Sequence, residues 1–242
     1  DSPTTTTPEE QMYFPPIGST IWETKTVQSL GWNQSQVQPL LDYLELKHTK
    51  SFIVLHNGKI VLENYFNGHT ANEPWYWASA GKTLTATMVG IAQQENFLNI
   101  NDTSSKYLGK GWTSCTPEQE AKITIKNQLS MTTGLDDGVA NSACTLDTCL
   151  IYKAASGTRW SYHNGPYTIL DKVVENATGT TLNNYTTQKL KSKIGMTGSF
   201  VKVDYNNVYF STARSMARFG LLILNKGKWN GNAVLTDTNY FN

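Results

Sequence analysis

Apolar positions near the start of the chain repeat at helical spacing. Val37, Leu40, Leu41 and Leu44 recur every three or four residues, which places them on one face of a helix. The pattern therefore predicts a helix over residues 33–48.

Two short apolar runs come next, and a turn sequence separates them. The runs are Ser51–Leu55 and Lys59–Phe66, with His56-Asn57-Gly58 between them. Asn-Gly between β-rich runs is a strong hairpin signal. A helix followed by a hairpin does not fit βαβ alternation, so we predict an α+β fold with an antiparallel sheet flanked by helices.

Further helical patterns follow, separated by loop-rich sequence. The predicted helices cover residues 81–94, 125–131, 165–177 and 211–224. The loop-rich stretch 101–165 predicts a helical lobe inserted between sheet elements.

The domain division rests on one compositional change. The beginning of the chain is rich in Thr and Pro, and such segments do not form a packed core. No linker is visible after residue 20. We therefore predict a flexible N-terminal segment over 1–20 and one domain over 21–242.

Charge and hydropathy exclude two classes of protein. Twenty basic and 19 acidic residues leave a formal charge of +1, without the clustered Lys and Arg that nucleic-acid binding requires. No run approaches the roughly 18 apolar residues that span a bilayer. We expect no nucleic-acid partner, and membrane contact at most through an N-terminal anchor.

The three cysteines do not have the spacing of a zinc site, because no CxxC pair is present. The histidines form no cluster with acidic residues, and we expect neither a metal nor a cofactor. Cys144 and Cys149 either form a disulfide in an oxidising compartment or remain two thiols. Cys115 is predicted to be a partly buried thiol.

The segment Trp75–Thr83 contains the first candidate chemistry. Gly81-Lys82-Thr83 is similar to the end of a phosphate-binding P-loop, but that motif requires Gly at position 76, where this chain has Tyr. The alternative is Ser-x-x-Lys, with Ser79 just before a helix and Lys82 three residues later on the same face. The Lys82 amine can then help to activate the Ser79 hydroxyl as a nucleophile.

A second candidate segment is Tyr162-His163-Asn164, just before a predicted helix. Residues i and i+2 of an extended segment point the same way, so Tyr162 and Asn164 are predicted to face one cleft. A neighbouring ammonium lowers the pKa of a tyrosine and makes phenolate chemistry accessible. By the same alternation His163 is predicted to be a surface residue. A structural alternative is a packed tyrosine, with Asn164 capping the next helix.

Together these motifs resemble the first two motifs of the serine β-lactamase and penicillin-binding-protein superfamily. Tyr-x-Asn is typical of the class C branch, which includes class C β-lactamases, D,D-peptidases, family VIII carboxylesterases and 6-aminohexanoate-oligomer hydrolases. Residues 128–135 and 210–220 are similar to two further family segments, although Met131 stands where the family commonly has His. The resemblance covers about residues 50–235 and implies the β-lactamase/transpeptidase-like fold.

The resemblance also implies roles for the motif residues. Ser79 would be acylated, Lys82 and Tyr162 would transfer protons, and Asn164 would bind the substrate amide. The Ser79 backbone N–H would supply half of an oxyanion hole. The implied substrate is a small molecule or peptide with an amide or ester carbonyl, and the implied location is the periplasm or the cell surface.

One family feature is not identified in this sequence. The third motif, Lys-Thr-Gly or His-x-Gly on a later strand, is expected beyond residue 242 together with the final strands of the sheet. His56-Asn57-Gly58 precedes the nucleophile and is explained as the hairpin turn. The alternative function is therefore a catalytically inactive protein on this fold that binds peptidoglycan or a D-amino acid.

Overall fold

A computed structural model of the chain describes residues 11–241. The helices are α1 (Val37–Leu46), α2 (Gly81–Gln94), α3 (Ser105–Leu108), α4 (Pro117–Glu120), α5 (Ile125–Leu129), α6 (Asn164–Thr168), α7 (Leu170–Thr178), α8 (Leu182–Thr186), α9 (Ser192–Ile194), α10 (Ala213–Leu224) and α11 (Thr238–Phe241). The strands are β1 (Ser51–His56), β2 (Lys59–Tyr65), β3 (Trp75–Tyr76), β4 (Ser199–Val203), β5 (Asn206–Ser211), β6 (Lys228–Trp229) and β7 (Asn232–Ala233).

The predicted hairpin is confirmed. Strands β1 and β2 pair antiparallel, with Ser51 opposite Tyr65. At the turn, Asn57 and Gly58 have φ values of 47° and 81°, the left-handed conformation that Asn-Gly turns adopt most readily. A Cβ atom on Gly58 would also collide with the carbonyl oxygen of Tyr13, so this close approach of the N-terminal segment requires glycine.

A second sheet determines where the chain enters α2. Its strand order is β3-β5-β4, and both pairings are antiparallel, with Tyr76 opposite Phe210. The backbone N–H of Trp77 donates to the Tyr209 carbonyl at 2.8 Å. All named strand pairings are antiparallel, which confirms the predicted α+β class.

Helix α2 lies in the centre of the main hydrophobic core. Its buried residues face several directions around the helix, which is typical of a helix enclosed by other elements. The side chains of α2 and α7 that have no exposed surface are Leu84, Met88, Val89, Ala92, Leu170, Val173 and Val174. Burial of each large apolar side chain stabilises the fold by about 1.5–3 kcal/mol, so the core fixes α2 firmly.

The loop-rich stretch before α6 packs on a hydrophobic cluster of its own, separate from the main core. It contains only the short helices α3, α4 and α5 and a 3-10 turn at Asp147–Cys149. A small separate cluster of Ile123, Leu135 and Leu150 lies beneath it. Cys144 and Cys149 form a disulfide, which decides between the two alternatives for this pair, and Cys115 is a partly buried thiol as predicted.

The N-terminal segment is described only in part. Residues 1–10 of the predicted flexible segment lie outside the described residues. Beyond them the chain packs on the domain, since the Tyr13 backbone N–H donates to the Asn57 carbonyl at 2.9 Å. The Arg218 guanidinium also donates to the carbonyls of Pro15 and Pro16.

Two predicted helices begin later than expected because side chains cap them. The Thr212 hydroxyl accepts from the Ser215 backbone N–H, so α10 begins at Ala213. The Asn33 side chain caps a short 3-10 turn, and the α-helix proper begins at Val37. The helix predicted over 165–177 is divided between α6 and α7.

Candidate active site

Ser79 lies at the entrance to α2, in a 3-10 turn over Ala78–Ala80. The preceding Trp77 anchors this turn: it is 5% exposed, and its indole N–H donates to the Ser211 hydroxyl at 2.8 Å. Ala78 has a φ of 45°, a left-handed conformation that costs energy for a residue with a Cβ. Backbone strain is therefore located directly before the candidate nucleophile.

Lys82 is one turn further along the chain. Its Nζ is 3.4 Å from the Ser79 Oγ, within reach of a hydrogen bond. The Nζ also lies 5.2 Å from the ring centroid of Tyr162 and 5.7 Å from that of Tyr167. Two aromatic rings thus surround the ammonium group, which favours a fixed side-chain position.

Tyr162 contacts Ser79, as the two motifs predicted. Its hydroxyl donates to the Ser79 Oγ at 2.7 Å, although the two residues are 83 positions apart. Burial acts to raise the pKa of Tyr162, but the hydrogen bonds with Ser79 and Lys82 and the charge of Lys82 outweigh it. The pKa of Tyr162 therefore lies below its ordinary value.

Asn164 lies in the same cleft as Ser79 and Lys82. It is the first residue of α6, and no hydrogen bond of its side chain is found within residues 11–241. Three of the four predicted site residues therefore line one cleft, and the fourth, Tyr162, meets them through its hydrogen bond with Ser79. The cleft has a volume of about 180 Å³, which is small for a ligand pocket.

The prediction for His163 is wrong. Its side chain is buried, with 4% of the residue exposed, because the side of this segment opposite to Tyr162 faces the loop region rather than solvent. Neither ring nitrogen has a hydrogen-bond partner among residues 11–241. Burial lowers the pKa of His163, and the negative charges of Asp137 and Asp136 only partly oppose that effect.

The aromatic residues before Ser79 divide between core and surface. Trp77 belongs to the core. Trp75 and Tyr76 are 42% and 49% exposed, and their rings stack with centroids 5.2 Å apart. Of these three aromatic residues, Trp77 alone is part of the core.

Sequence analysis missed one buried carboxyl group in the cleft. Asp171 of α7 is 6% exposed and accepts hydrogen bonds from the Thr85 hydroxyl at 3.1 Å and the Asn207 amide at 2.9 Å. Burial raises the pKa of Asp171 to about 7, although both hydrogen bonds oppose the shift. The sequence contained a signal for this residue. Asn164, Thr168 and Asp171 are spaced by four and three residues, which places Asp171 on the same helical face as the motif residue Asn164.

Asn206 and Asn207 were also missed, and the sequence offered no sign of them. They begin β5 and line the cleft together with the motif residues. Only the fold brings this strand against α6 and α7, where the Thr168 hydroxyl donates to Asn206 Oδ1 at 3.2 Å.

One string after Tyr162 has the spelling of the third family motif, but it does not lie on a strand. His163-Asn164-Gly165 is at the beginning of α6. It does not supply the strand that the resemblance implies, so the third motif remains an expectation.

Two further features were sought in the part of the chain that the structure describes. Between residues 11 and 241, no helix combines the length and the apolar character that crossing a membrane requires. The same residues contain no group of three or more His, Cys, Asp or Glu side chains arranged to hold a metal ion.

Comparison with known families agrees with the geometry. Residues 48–240 match the Beta-lactamase family, which is most of the chain. The protein therefore belongs to this family, and the antiparallel fold with Ser79 at the entrance to α2 is that of the serine β-lactamase and penicillin-binding-protein superfamily. Membership supports a function of the serine hydrolase type.

Individual relatives are distant. The fold is similar to that of a provisionally named 6-aminohexanoate-dimer hydrolase from Bacillus anthracis, with a TM-score of 0.71 and 23% identity over 96% of this chain and 69% of that one. An uncharacterised protein from Alkalihalophilus pseudofirmus is 26% identical over 76% of this chain. A provisionally named penicillin-binding protein, PbpX from Bacillus subtilis, is 25% identical over 66% of this chain. The chain spans only 61% and 43% of these two relatives.

Proposed function

We propose that this protein is a serine hydrolase that cleaves an amide or ester through an acyl-enzyme on Ser79. The observation that carries the proposal is the 2.7 Å contact between the Tyr162 hydroxyl and the Ser79 Oγ, with Lys82 Nζ 3.4 Å from that same oxygen. A hydroxyl group needs a nearby base to become a nucleophile, and this arrangement supplies one.

The first step is proton transfer from Ser79. Ionised Tyr162 accepts the Ser79 proton while the serine oxygen attacks the substrate carbonyl. The positive charge of Lys82 stabilises the phenolate, in agreement with the lowered pKa of Tyr162. General-base catalysis of this kind contributes about 10²–10⁴-fold to the rate.

The tetrahedral intermediate then collapses to the acyl-enzyme. Its negative oxygen lies near the amino end of α2, where the helix dipole and the Ser79 backbone N–H favour negative charge. Tyr162 returns the proton to the leaving amine or alcohol. Water, deprotonated by the same tyrosine, hydrolyses the ester on Ser79, releases the carboxylic acid and restores the serine.

Two further proposals concern the surroundings of the reaction. Asn164 binds the substrate amide, since its side chain lies in the cleft beside the two catalytic motifs. The protein acts outside the cytoplasm, and the Cys144–Cys149 disulfide supports this location because disulfides persist in oxidising compartments.

The test is intact-mass spectrometry after exposure to a fluorophosphonate and, separately, to a penicillin. We expect one adduct on the wild-type protein and none on Ser79→Ala. The matched control is Ser192→Ala, which removes an exposed serine hydroxyl outside the cleft and should leave labelling unchanged. A wild-type protein that forms no adduct and hydrolyses no ester or amide would instead indicate the inactive binding protein.

A further inference from the structure

A second tyrosine, Tyr167 of α6, contacts Lys82 at two points. Its hydroxyl donates to the Lys82 backbone carbonyl at 2.8 Å. The centroid of its ring lies 5.7 Å from Lys82 Nζ, a distance at which an aromatic ring attracts an ammonium group. Tyr167 is therefore linked both to the backbone of Lys82 and to its charged end.

The two rings beside Lys82 differ in how firmly they are held. Tyr167 is 7% exposed and belongs to the main core, where close packing keeps each side chain in one position. Tyr162 is 46% exposed and lies outside the helices and strands. Attraction between a cation and a ring is strongest when water is excluded. Tyr167 is thus the ring better suited to fix the ammonium group.

The two tyrosines also differ in protonation. Burial raises the pKa of Tyr167, and the charges of Asp171 and Tyr162 act in the same direction. The pKa of Tyr162 instead lies below its ordinary value. Tyr167 consequently keeps its proton, and with it the hydrogen bond to Lys82, at a pH where Tyr162 ionises.

We infer that Tyr167 is a positioning residue, which keeps the Lys82 ammonium group beside the hydroxyl groups of Ser79 and Tyr162. Its hydroxyl holds the first turn of α2, and its ring limits the directions that the Lys82 side chain can take. Tyr167 acts on the reaction through Lys82. The inference rests on the proposed serine hydrolase function, because Lys82 stabilises the phenolate that accepts the Ser79 proton.

The test compares the pH dependence of phenyl acetate hydrolysis in the wild type and two variants. Tyr167→Met replaces the ring with an apolar chain, whereas Tyr167→Phe keeps the ring and removes the hydroxyl. We expect Tyr167→Met to move the acidic limb of the kcat/KM profile upward by about one pH unit, because a displaced ammonium stabilises the Tyr162 phenolate less. Tyr167→Phe should keep the limb in place and lower kcat by at most about threefold. A loss of folded protein alone would lower the rate without moving the limb.

The matched control is Tyr240 of α11, whose hydroxyl also donates to a carbonyl of α2, that of Ala86, at 2.6 Å. Tyr240→Met loosens the same helix away from Lys82 and should leave the acidic limb unchanged. Equal shifts in Tyr167→Met and Tyr240→Met would overturn the inference. If Tyr167→Met does not fold, trifluorophenylalanine at position 167 keeps the ring shape and weakens its attraction for a cation. The limb should then move upward by about half a pH unit relative to Tyr167→Phe, and an unchanged limb would overturn the inference.

Asp171 requires a separate control, because it lines the same cleft and burial raises its pKa to about 7. The wild type and Tyr167→Met are therefore also compared with Asp171→Asn present in both. The upward shift should persist in this background. If the shift disappeared, it would come from Asp171, and Tyr167 would not be a positioning residue for Lys82.

A measurement without turnover distinguishes failure of this inference from failure of the proposed chemistry. NMR of protein carrying tyrosine labelled with ¹³C at Cζ follows the ionisation of Tyr162, whose signal is assigned by its loss in Tyr162→Phe. The pKa of Tyr162 should be about one unit higher in Tyr167→Met than in the wild type. A raised pKa in a wild-type background without turnover would disprove the hydrolase and retain the positioning role. An unchanged pKa of Tyr162 would disprove the positioning role, whatever the turnover.

Discussion

The two sides of the cleft are built by different physical means. The nucleophile side, defined here as the 3-10 turn Ala78–Ala80 together with α2, α7 and β5, carries Ser79 and Lys82. It lies in the main core, where α2 and α7 contribute side chains without exposed surface such as Leu84 and Leu170. Many buried apolar contacts of this kind make local opening energetically costly.

The tyrosine side, defined here as residues 131–163, carries Tyr162. It has no α-helix and one 3-10 turn, and it rests on the small cluster of Leu135, Leu150 and Ile123. An ion pair between Arg159 and Asp137 at 2.6 Å and the disulfide supply the remaining support. The 2.7 Å contact between Tyr162 and Ser79 therefore joins two regions of different construction. One is a cooperative core, and the other is held by a few local cross-links.

The largest expected effect separates chemistry from support. Tyr162→Phe keeps the ring and removes the hydroxyl that meets Ser79, so kcat should fall by about 10²–10⁴-fold. The urea midpoint of unfolding should change little, because Tyr162 is 46% exposed. Steady-state hydrolysis of a phenyl ester and urea titration measure the two quantities.

The matched control for this change is Tyr152→Phe. Tyr152 is also on the tyrosine side and is 42% exposed. The Tyr152→Phe variant should retain the wild-type kcat. If Tyr162→Phe kept more than a tenth of the wild-type rate, the hydroxyl would not be the proton acceptor and the proposed step would fail.

The next effect compares one buried titratable group from each side. The pKa of Asp171 rises to about 7 in the folded protein, against about 3.9 in an unfolded chain. Between these values the folded state binds a proton that the unfolded state does not. The stability from this group is therefore fully present below about pH 4 and is lost as the pH rises through 7, by on the order of 4 kcal/mol.

His163 should act in the opposite direction. Its pKa is lowered in the folded protein, so its contribution is present above about pH 6.5 and is lost as the pH falls through the folded pKa. The charged groups that act on His163 are Asp136, Asp137 and Arg159.

Unfolding free energies from urea titrations between pH 4 and 8 test this comparison. Asp171→Asn should remove the loss of stability towards neutral pH, and His163→Gln should reduce the loss towards acid. Besides its hydrogen-bond partners, Glu175 and Lys202 act on Asp171, while Lys82 and Tyr167 share its cleft. Identical pH profiles for Asp171→Asn and the exposed control Asp204→Asn would contradict the prediction.

The same contrast explains what the sequence could predict. Ser79 and Lys82 are three residues apart, and Tyr162 and Asn164 are two apart, so local geometry alone gives each pair a shared direction. The hairpin was likewise predictable, because Asn57-Gly58 suits one turn conformation. These features depend on neighbours in sequence.

The missed features depend on contacts between distant segments. Asn207 reaches the cleft only because β5 packs beside α7. Its hydrogen-bond partner there, Asp171, is 36 positions earlier in the sequence. His163 was misplaced because alternation predicts opposite directions but not whether the opposite direction leads to solvent. In this loop region it leads into the domain.

The smallest of these effects concerns the disulfide on the tyrosine side. The segment that leads into this disulfide packs on the beginning of α6, where the Gly165 backbone N–H donates to the Ser142 carbonyl at 2.8 Å. A Cβ on Gly165 would collide with the Cys144 carbonyl oxygen. Because Asn164 precedes this contact directly, the cross-link supports both Asn164 and Tyr162.

We expect Cys144→Ser with Cys149→Ser to destabilise the protein by about 2 kcal/mol, the chain-entropy value for so short a loop. Amide hydrogen exchange should accelerate over 132–163 and remain unchanged over 81–94, because α2 depends on the main core. Cys115→Ser, which removes the unpaired thiol, should leave exchange in both stretches unchanged. Equal acceleration in α2 would mean that the two sides unfold as one unit. The two sides would then differ in composition but not in local stability.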